Sequence, residues 1–201
     1  METRKLFALS VIFLAIFASA CTPKPFLKVQ YQLPSSSTAL TGETISLRIS
    51  DIRKDATFLS DNARKSIKNF NNTYSLVVLR DVGSRNLLGA YDVDSLLKEM
   101  FKQRLENEGC QVFTPAENPD ASLAIQLKEF KLDAVDRKWT LRMSYQAGLS
   151  KKKGLVANES VSGSAERLKV MGKTDAEKIL GELVTDMVNK LNVAKLFEKA
   201  Q

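Results

Sequence analysis

The chain has 201 residues, enough for one domain with a sizeable core, and 30 Lys and Arg against 23 Asp and Glu give a net charge of +7. It contains no histidine, which excludes Ser-His and Cys-His nucleophile pairs and every His-ligated metal site. The basic balance favours contact with anionic phospholipid, lipopolysaccharide or acidic glycan, although a solvated basic surface without a ligand is the plainer interpretation.

Residues 1–20 have the pattern of a secretory signal peptide. Two cations, Arg4 and Lys5, precede the almost wholly apolar segment Leu6–Phe17. The positions before Cys21 are small and typical of signal-peptidase recognition: Ala18, Ser19 and Ala20. A cysteine at the cleavage site is typical of a bacterial lipobox. We therefore expect cleavage before Cys21, diacylglycerol on its thiol and an acyl chain such as palmitate on its new amine.

Two other interpretations of this segment are a transmembrane helix and a cleaved signal of a soluble exported protein. Twelve residues in a helix reach about 18 Å, short of a hydrocarbon core of about 30 Å. Ala18 stands where lipoboxes usually carry Leu, which predicts slower processing or a different cut. Thr22 is not the Asp that commonly retains lipoproteins in the inner membrane. We expect the outer membrane, facing the periplasm, with the inner membrane as the alternative.

Residues 21–40 are predicted to be the lipidated N-terminus and a tether, because three prolines and a run of serines disfavour regular packing. Within them, Leu27–Leu33 alternates between apolar and polar residues, which predicts an edge strand. Residues 41–201 are predicted to be a single periplasmic domain.

The first half of that domain is predicted to hold two strands and a helix. Ile45–Ile49 alternates and is predicted to be a half-buried strand, whereas the apolar Tyr74–Leu79 is predicted to be central in its sheet. Residues 56–73 are predicted to be irregular and 81–89 to be a loop. An apolar stripe then predicts a helix over 93–105, with Asp92 as its N-cap and Gly109 just past its end.

The second half is predicted to be a short strand at Val112–Phe113, a three-stranded meander and a terminal helix. The meander's first strand changes phase near Glu129, which predicts a bulge. Its last strand, Leu155–Leu168, is polar and expected at an edge. The terminal helix spans 174–191, with Thr174 and Glu177 as a capping box and an extension over 193–197 after a bend. The predicted fold class is α+β: a mostly antiparallel sheet with two amphipathic helices packed on one face.

Candidate interaction residues fall in two short stretches. One surrounds a guanidinium with carboxylates just after a strand: Asp51, Arg53 and Asp55. The other is a basic hairpin tip that suits an anionic membrane surface: Lys151, Lys152 and Lys153. A turn with local salt bridges and a solubilising hairpin are the plainer interpretations. Cys110 is expected to be a buried small hydrophobe. The sequence predicts no catalytic residue, no metal and no cofactor.

This arrangement resembles the YajG-type bacterial lipoproteins. The shared parts are the lipobox, the Pro-rich tether, the Asp-x-Arg-x-Asp stretch at Asp51, a helix ending near Glu108, the long strand pair and a terminal helix with Lys195-Leu196-Phe197. More faintly, the chain resembles the auxiliary lipoproteins of lipid-transport systems. It departs from the YajG pattern at Ala18 and in a polar insertion around 60–73. The resemblance implies a periplasm-facing lipoprotein without established enzymatic activity.

The expected function is therefore a lipid-anchored protein of the bacterial cell envelope with a non-enzymatic role in binding or in supporting an assembly. Its expected partners are the membrane, which it contacts through the N-terminal lipid, and an envelope protein. We expect no binding to nucleic acid. The alternative is an auxiliary lipoprotein of a lipid or glycan transport system.

Overall fold

The computed structural model describes residues 26–80, 83–114, 117, 119–152 and 156–200. The predicted signal peptide, Cys21, Thr22 and Lys153 lie outside these residues. The described residues form the following helices and strands: β1 Phe26–Gln32, β2 Thr44–Asp51, α1 Asp61–Ser66, β3 Thr73–Leu79, β4 Arg85–Tyr91, α2 Val93–Asn107, β5 Gln111–Phe113, β6 Ala121–Val135, β7 Lys138–Lys151, β8 Ala157–Leu168, α3 Lys173–Lys190 and α4 Val193–Lys199.

The strands form two mixed sheets, a three-stranded sheet in the order β1-β3-β4 and a five-stranded sheet in the order β5-β2-β6-β7-β8. The pairs β1–β3, β2–β5 and β2–β6 are parallel, and the pairs β3–β4, β6–β7 and β7–β8 are antiparallel. The α+β class is confirmed, but the prediction of a mostly antiparallel sheet is wrong. Apolar alternation shows which strand face is buried; it does not show strand direction, which depends on the crossovers between strands.

The segment that alternates at Leu27–Leu33 is β1, and it lies at the edge of the three-stranded sheet as predicted. Leu27, Val29 and Tyr31 are completely buried. Residues 26–32, which fall within the predicted tether, therefore form a strand that packs into the core of the described residues.

Two elements were missed by the sequence analysis. The predicted loop over 81–89 contains β4, which pairs with β3 through a bulge at Leu76/Val77. Most of β4 is exposed, so it lacks the apolar alternation that marks a strand. The region predicted as irregular contains α1, a six-residue helix capped by the Ser60 hydroxyl, which accepts from the Ala63 N–H. A helix this short has too few turns to show a 3.6-residue period.

The helix predicted over 93–105 is confirmed as α2. The Asp92 carboxylate accepts from the Ser95 N–H at 2.8 Å, and Gly109 has a φ of +87° just past the end of the helix. Phe101 of α2 packs edge-on against Tyr145 of β7, with ring centroids 5.6 Å apart. The Tyr145 hydroxyl in turn donates to the carbonyl of Met187 in α3 at 2.8 Å. Both long helices thus contact the buried side of β7.

The capping box predicted for the terminal helix is wrong. α3 begins at Lys173, its N-cap is Gly172, and Thr174 accepts no capping hydrogen bond. Glu177 instead accepts from the Lys28 N–H on β1 at 3.0 Å. The local sequence matched the box, but tertiary contact with β1 recruits the carboxylate. The predicted bend and extension are confirmed: Asn192 caps α4 by accepting from the Lys195 N–H.

α3 lies along the outer edge of β1 and satisfies backbone groups that β3 does not reach. Thr185 accepts from the Gln32 N–H at 3.1 Å, and the Asn189 amide donates to the Gln32 carbonyl at 3.0 Å. Gly181 makes this close approach sterically feasible, because a Cβ at this position would lie 2.8 Å from the Gln30 carbonyl oxygen. The helix therefore covers a strand edge that would otherwise be open to pairing.

The long hairpin of β6 and β7 agrees with the predicted pattern. Its register shifts between Leu127 and Glu129, which confirms the predicted bulge. The alternating apolar side chains of β7 are all buried: Trp139, Leu141, Met143, Tyr145, Ala147 and Leu149. The polar strand β8 forms the edge of the sheet, as predicted.

Candidate functional site

A groove of about 520 Å³ lies where β2 ends beside the bulge of β6. We call it the basic groove, because five of its nine lining residues are Lys or Arg: Ile52, Arg53, Lys54, Asp55, Lys128, Glu129, Phe130, Lys131 and Arg142. Two of the three residues predicted after the first strand, Arg53 and Asp55, lie in this groove. The bulge places Glu129 opposite Ser144, so the groove sits at the point where the β6–β7 ladder changes register.

Arg53 and Asp51 form a bidentate pair at the base of the basic groove. Arg53 Nε donates to Asp51 Oδ1 at 2.9 Å and its Nη2 donates to Asp51 Oδ2 at 2.6 Å. A third donor, Nη1, reaches the carbonyl of Phe130 at 3.0 Å, and the Arg53 side chain is only 5% exposed. These hydrogen bonds lower the pKa of the Asp51 carboxyl. Arg53 therefore ties the end of β2 to the bulged part of β6.

Asp55 does not join this pair. Its carboxylate contacts Lys131 Nζ at 2.6 Å and accepts from the Thr57 N–H at 2.9 Å. The hydrogen bond from the Lys131 ammonium, together with hydrogen bonds from Thr57, holds the pKa of the Asp55 carboxyl well below its usual range. Asp51 thus pairs with Arg53, whereas Asp55 pairs with Lys131 of β6, so the stretch contributes to two separate ion pairs.

Charged groups on the walls of the groove are paired as well. Arg142 Nε donates to Glu129 at 2.9 Å, and Lys128 Nζ donates to the Gln146 amide oxygen at 2.7 Å. Ile52 is 48% exposed beside them, although it is a large apolar residue. The groove therefore combines five cations, three of them in ion pairs with Asp51, Asp55 and Glu129, with one exposed apolar side chain on a preformed surface.

Asp94, in the first turn of α2, was missed by the sequence analysis. Burial, together with the negative charges of Asp51 and Asp92, raises the pKa of its carboxyl, while Arg53 acts in the opposite direction. Asp94 Oδ1 is buried, and no hydrogen-bond partner for it is present among the described residues. Asp94 lies two residues after the N-cap Asp92, and an acidic residue in the first turn of a helix is common because it complements the helix dipole, so the sequence did not single it out.

The groove rests on an aromatic cluster. Phe58 and Phe130 have ring centroids 4.6 Å apart, and Tyr74 meets Phe58 edge-on at 5.5 Å. Phe70 packs against both Phe58 and Tyr74. Because these rings come from three separate segments of chain, they hold the turn at Arg53 on a rigid base.

The predicted basic tip lies at the far end of β7. Lys151 Nζ is 3.7 Å from Glu43 and 5.0 Å from the centre of the Phe197 ring, and Lys152 pairs with Asp120 at 3.4 Å. Both lysines border a small depression of about 290 Å³ that also includes Arg48. The third predicted residue, Lys153, lies outside the described residues.

A second groove, of about 510 Å³, runs between α3 and β1. Its lining is mostly polar or charged: Gln30, Gln32, Leu79, Glu177, Lys178, Gly181, Glu182, Thr185, Asp186 and Asn189.

Cys110 is buried, with 4% of its surface exposed, and its Sγ contacts the Glu43 carbonyl at 3.3 Å. Burial raises the pKa of this thiol to about 12. Within the described ranges, no three Cys, Asp or Glu residues are grouped so that they could hold a metal ion. The same residues include no helix that is long and apolar enough to cross a membrane.

No protein-family model and no curated protein matches the chain. Solved structures do resemble it. Protein XCC0632 from Xanthomonas campestris, of family DUF330, aligns with a TM-score of 0.50 at 14% identity, covering 87% of this chain and 98% of the other. At this identity, the likeness shows a shared fold.

Two weaker structural matches carry lipoprotein names. The rare lipoprotein B from Shewanella oneidensis has a TM-score of 0.40 at 8% identity, covering 72% of this chain and 89% of its own. A minor lipoprotein from Acinetobacter baumannii has a TM-score of 0.37 at 9% identity, and the alignment covers 78% of this chain and 96% of that protein. Bacterial lipoproteins are thus among the structural neighbours of this chain, whereas the particular resemblance to the YajG type stays a prediction.

Proposed function

We propose that this chain is a lipid-anchored protein of the bacterial envelope that binds a partner and catalyses no reaction. The observation that carries the proposal is the N-terminal sequence, in which a short apolar segment and three small residues lead directly to Cys21. The first described strand, β1, starts at Phe26, five residues after Cys21 in sequence. An acylated Cys21 would therefore hold the domain close to the membrane surface.

The chemistry of the basic groove supports binding rather than catalysis. Its carboxylates at Asp51 and Asp55 are ion-paired, and their pKa values are lowered by those pairs. A carboxylate stabilised in this way is a weak base at neutral pH, whereas a general base works best with a pKa near the working pH. The groove's cations and exposed Ile52 suit an acidic segment with an apolar side chain on an envelope partner protein.

Photo-crosslinking in intact cells tests this binding role. A photoreactive phenylalanine analogue at Ile52 in the full chain should capture a discrete envelope protein. The same analogue at Leu87, which is 70% exposed on β4, is the matched control. Lys54→Glu reverses an exposed charge of the groove and should weaken the Ile52 product at unchanged protein level. The same product from both positions, no product from Ile52, or a product insensitive to Lys54→Glu would contradict the proposal.

We further propose the outer membrane as the destination, because Thr22 follows the lipidated cysteine. Density-gradient separation of the two membranes tests this directly. The wild-type chain should fractionate with the outer membrane and Thr22→Asp should shift it inward. Wild-type protein found mainly in the inner membrane would overturn the assignment.

A further inference from the structure

Four large apolar side chains are exposed at one end of the five-stranded sheet. Val170 is 81% exposed, Met171 64%, Leu168 63% and Val135 47%. We call this group the apolar tip. Single exposed apolar residues are ordinary, but several together at one end of a molecule indicate a contact surface.

Strand register brings the members of the tip together. Val135 pairs with Lys138 across the β6–β7 hairpin, and Lys138 pairs with Leu168 on β8. Directly paired residues point to the same side of a sheet, so Val135 and Leu168 flank Lys138 on one face. Val170 and Met171 follow in the short connection from β8 to α3.

Hydrogen bonds hold this connection in its exposed position. The Asp175 carboxylate, itself only 6% exposed, accepts from the Val170 N–H at 2.8 Å and from the Met171 N–H. Trp139 Nε1 donates to the Gly172 carbonyl at 3.1 Å. The two most exposed apolar residues of the tip are therefore presented on a fixed loop.

The chain enters the fold at the same end. Phe26, the first described residue, lies under the Lys173 ammonium, which is 5.5 Å from the centre of its ring. Lys173 is two residues from Met171 in sequence. Cys21 precedes Phe26 by five residues, and five residues of fully extended chain span at most about 18 Å. A lipid on Cys21 is thus confined to the neighbourhood of the apolar tip.

We propose that the apolar tip inserts into the lipid surface that carries the acylated Cys21, so that the domain stands on the membrane at this end. The proposal rests on the lipid anchor proposed above. Cations border the tip at Arg137, Lys138 and Lys169, alongside the acidic Asp136 and Glu166. Apolar side chains in the acyl region, with lysines and arginines at head-group level, are the arrangement that suits an anionic bilayer surface.

In the proposed orientation, the predicted basic tip at Lys151 and Lys152 lies at the opposite end of β7 from the apolar tip. β7 runs over 14 residues from Lys138 to Lys151, a length of about 40 Å at the usual rise of a strand. Lys151 lies at its far end and contacts Phe197 of α4, and the exposed Val156 precedes Ala157, which pairs with Leu149 near that end. With the apolar tip in the membrane and the domain upright, Lys151 and Lys152 would lie at the end that faces away from the lipid surface.

Depth-dependent quenching tests the proposed orientation. Val170→Cys is introduced into the full acylated chain, labelled with an environment-sensitive fluorophore and reconstituted in phosphatidylethanolamine and phosphatidylglycerol vesicles with or without spin-labelled acyl chains. Val156→Cys, 60% exposed at the far end, is the matched control. Cys110 is buried and its thiol pKa is raised to about 12, so the unsubstituted chain should take up little label and supplies the blank.

Emission from position 170 should fall several-fold more than emission from position 156 when the acyl chains carry the quencher. Equal quenching at both positions, or no quenching at 170 in protein that floats with the vesicles, would overturn the proposed insertion of the apolar tip. Either result would leave the proposed lipid anchor intact. Protein that does not float with the vesicles would overturn both the anchor and the inference that rests on it. If a second copy of the chain covers position 170 instead of lipid, the label would be shielded from water but would not be quenched by the spin-labelled acyl chains, and this result would also overturn the proposal.

Discussion

Replacing Gly181 with Ala should destabilise the protein, although alanine is the better helix former. In a helix interior this substitution alone would add about 1 kcal/mol of stability. Here, however, the new Cβ would lie 2.8 Å from the Gln30 carbonyl oxygen and 3.3 Å from the Gln30 nitrogen. Both are backbone atoms of a strand that is paired on its other side, so α3 has to move instead.

The cost follows from two consequences of that movement. Forcing one extra methyl into a packed contact costs about 1–3 kcal/mol. Moving α3 also lengthens the hydrogen bonds that Glu177 accepts from the Lys28 N–H and Thr185 accepts from the Gln32 N–H, each worth about 0.5–1.5 kcal/mol. After the gain in helix propensity is subtracted, we expect a net loss of about 1–3 kcal/mol.

Urea unfolding followed by Trp139 fluorescence measures this loss, because Trp139 is completely buried in the native state. With a slope of about 1–3 kcal/mol per molar urea, the midpoint should fall by about 1 M. Asp186→Ala, at an exposed position of the same helix, is the control and should leave the midpoint unchanged or slightly higher. A Gly181→Ala midpoint at or above that of the wild type would refute the close contact between α3 and β1.

Two further predictions concern α3. Leu183 is only 4% exposed, so Leu183→Ala should lower the free energy of unfolding by about 2–5 kcal/mol. The control Lys190→Ala changes an exposed residue and should cost little. Equal urea midpoints for the wild type and Leu183→Ala would mean that the helix is not docked. The N–H groups of Met171 and Val170 lower the folded-state pKa of the Asp175 carboxyl. The ionised carboxylate therefore stabilises the fold above the unfolded-state pKa of about 3.9, and this stabilisation is lost as the pH falls through the folded-state pKa. The gap between wild type and Asp175→Asn should accordingly shrink in acid unfolding series, and a gap independent of pH would contradict this assignment.

Sequence periodicity was sufficient where one face of an element is buried and the other is not. α2, β7 and the bulge near Glu129 follow from the spacing of apolar residues, because each packs a single regular stripe against the core. The exposed strand β4 and the six-residue helix α1 carry no such stripe and were missed. Parallel pairing of β2 could not be predicted either, since it depends on how distant segments return to the sheet.

Local motifs were less dependable than periodicity, because distant contacts redirect their side chains. Glu177 matches a capping box but bonds to β1, 149 residues away. The sequence shows the charges between Asp51 and Asp55, but the partners of Arg53 and Asp55 include Phe130 and Lys131 of β6, which no local pattern indicates. The apolar tip combines residues from β6, β8 and the connection to α3, so no single segment of sequence reveals it.

The central claim is that Cys21 anchors this chain to a membrane through lipid, and Cys21→Ser tests it most directly. Cell fractionation combined with intact-mass measurement should find the wild-type chain in membranes, cleaved before Cys21 and heavier by its acyl groups. The Cys21→Ser chain should appear as an unprocessed or soluble form. A Cys21→Ser chain that still fractionates with membranes at the mature mass would contradict the account.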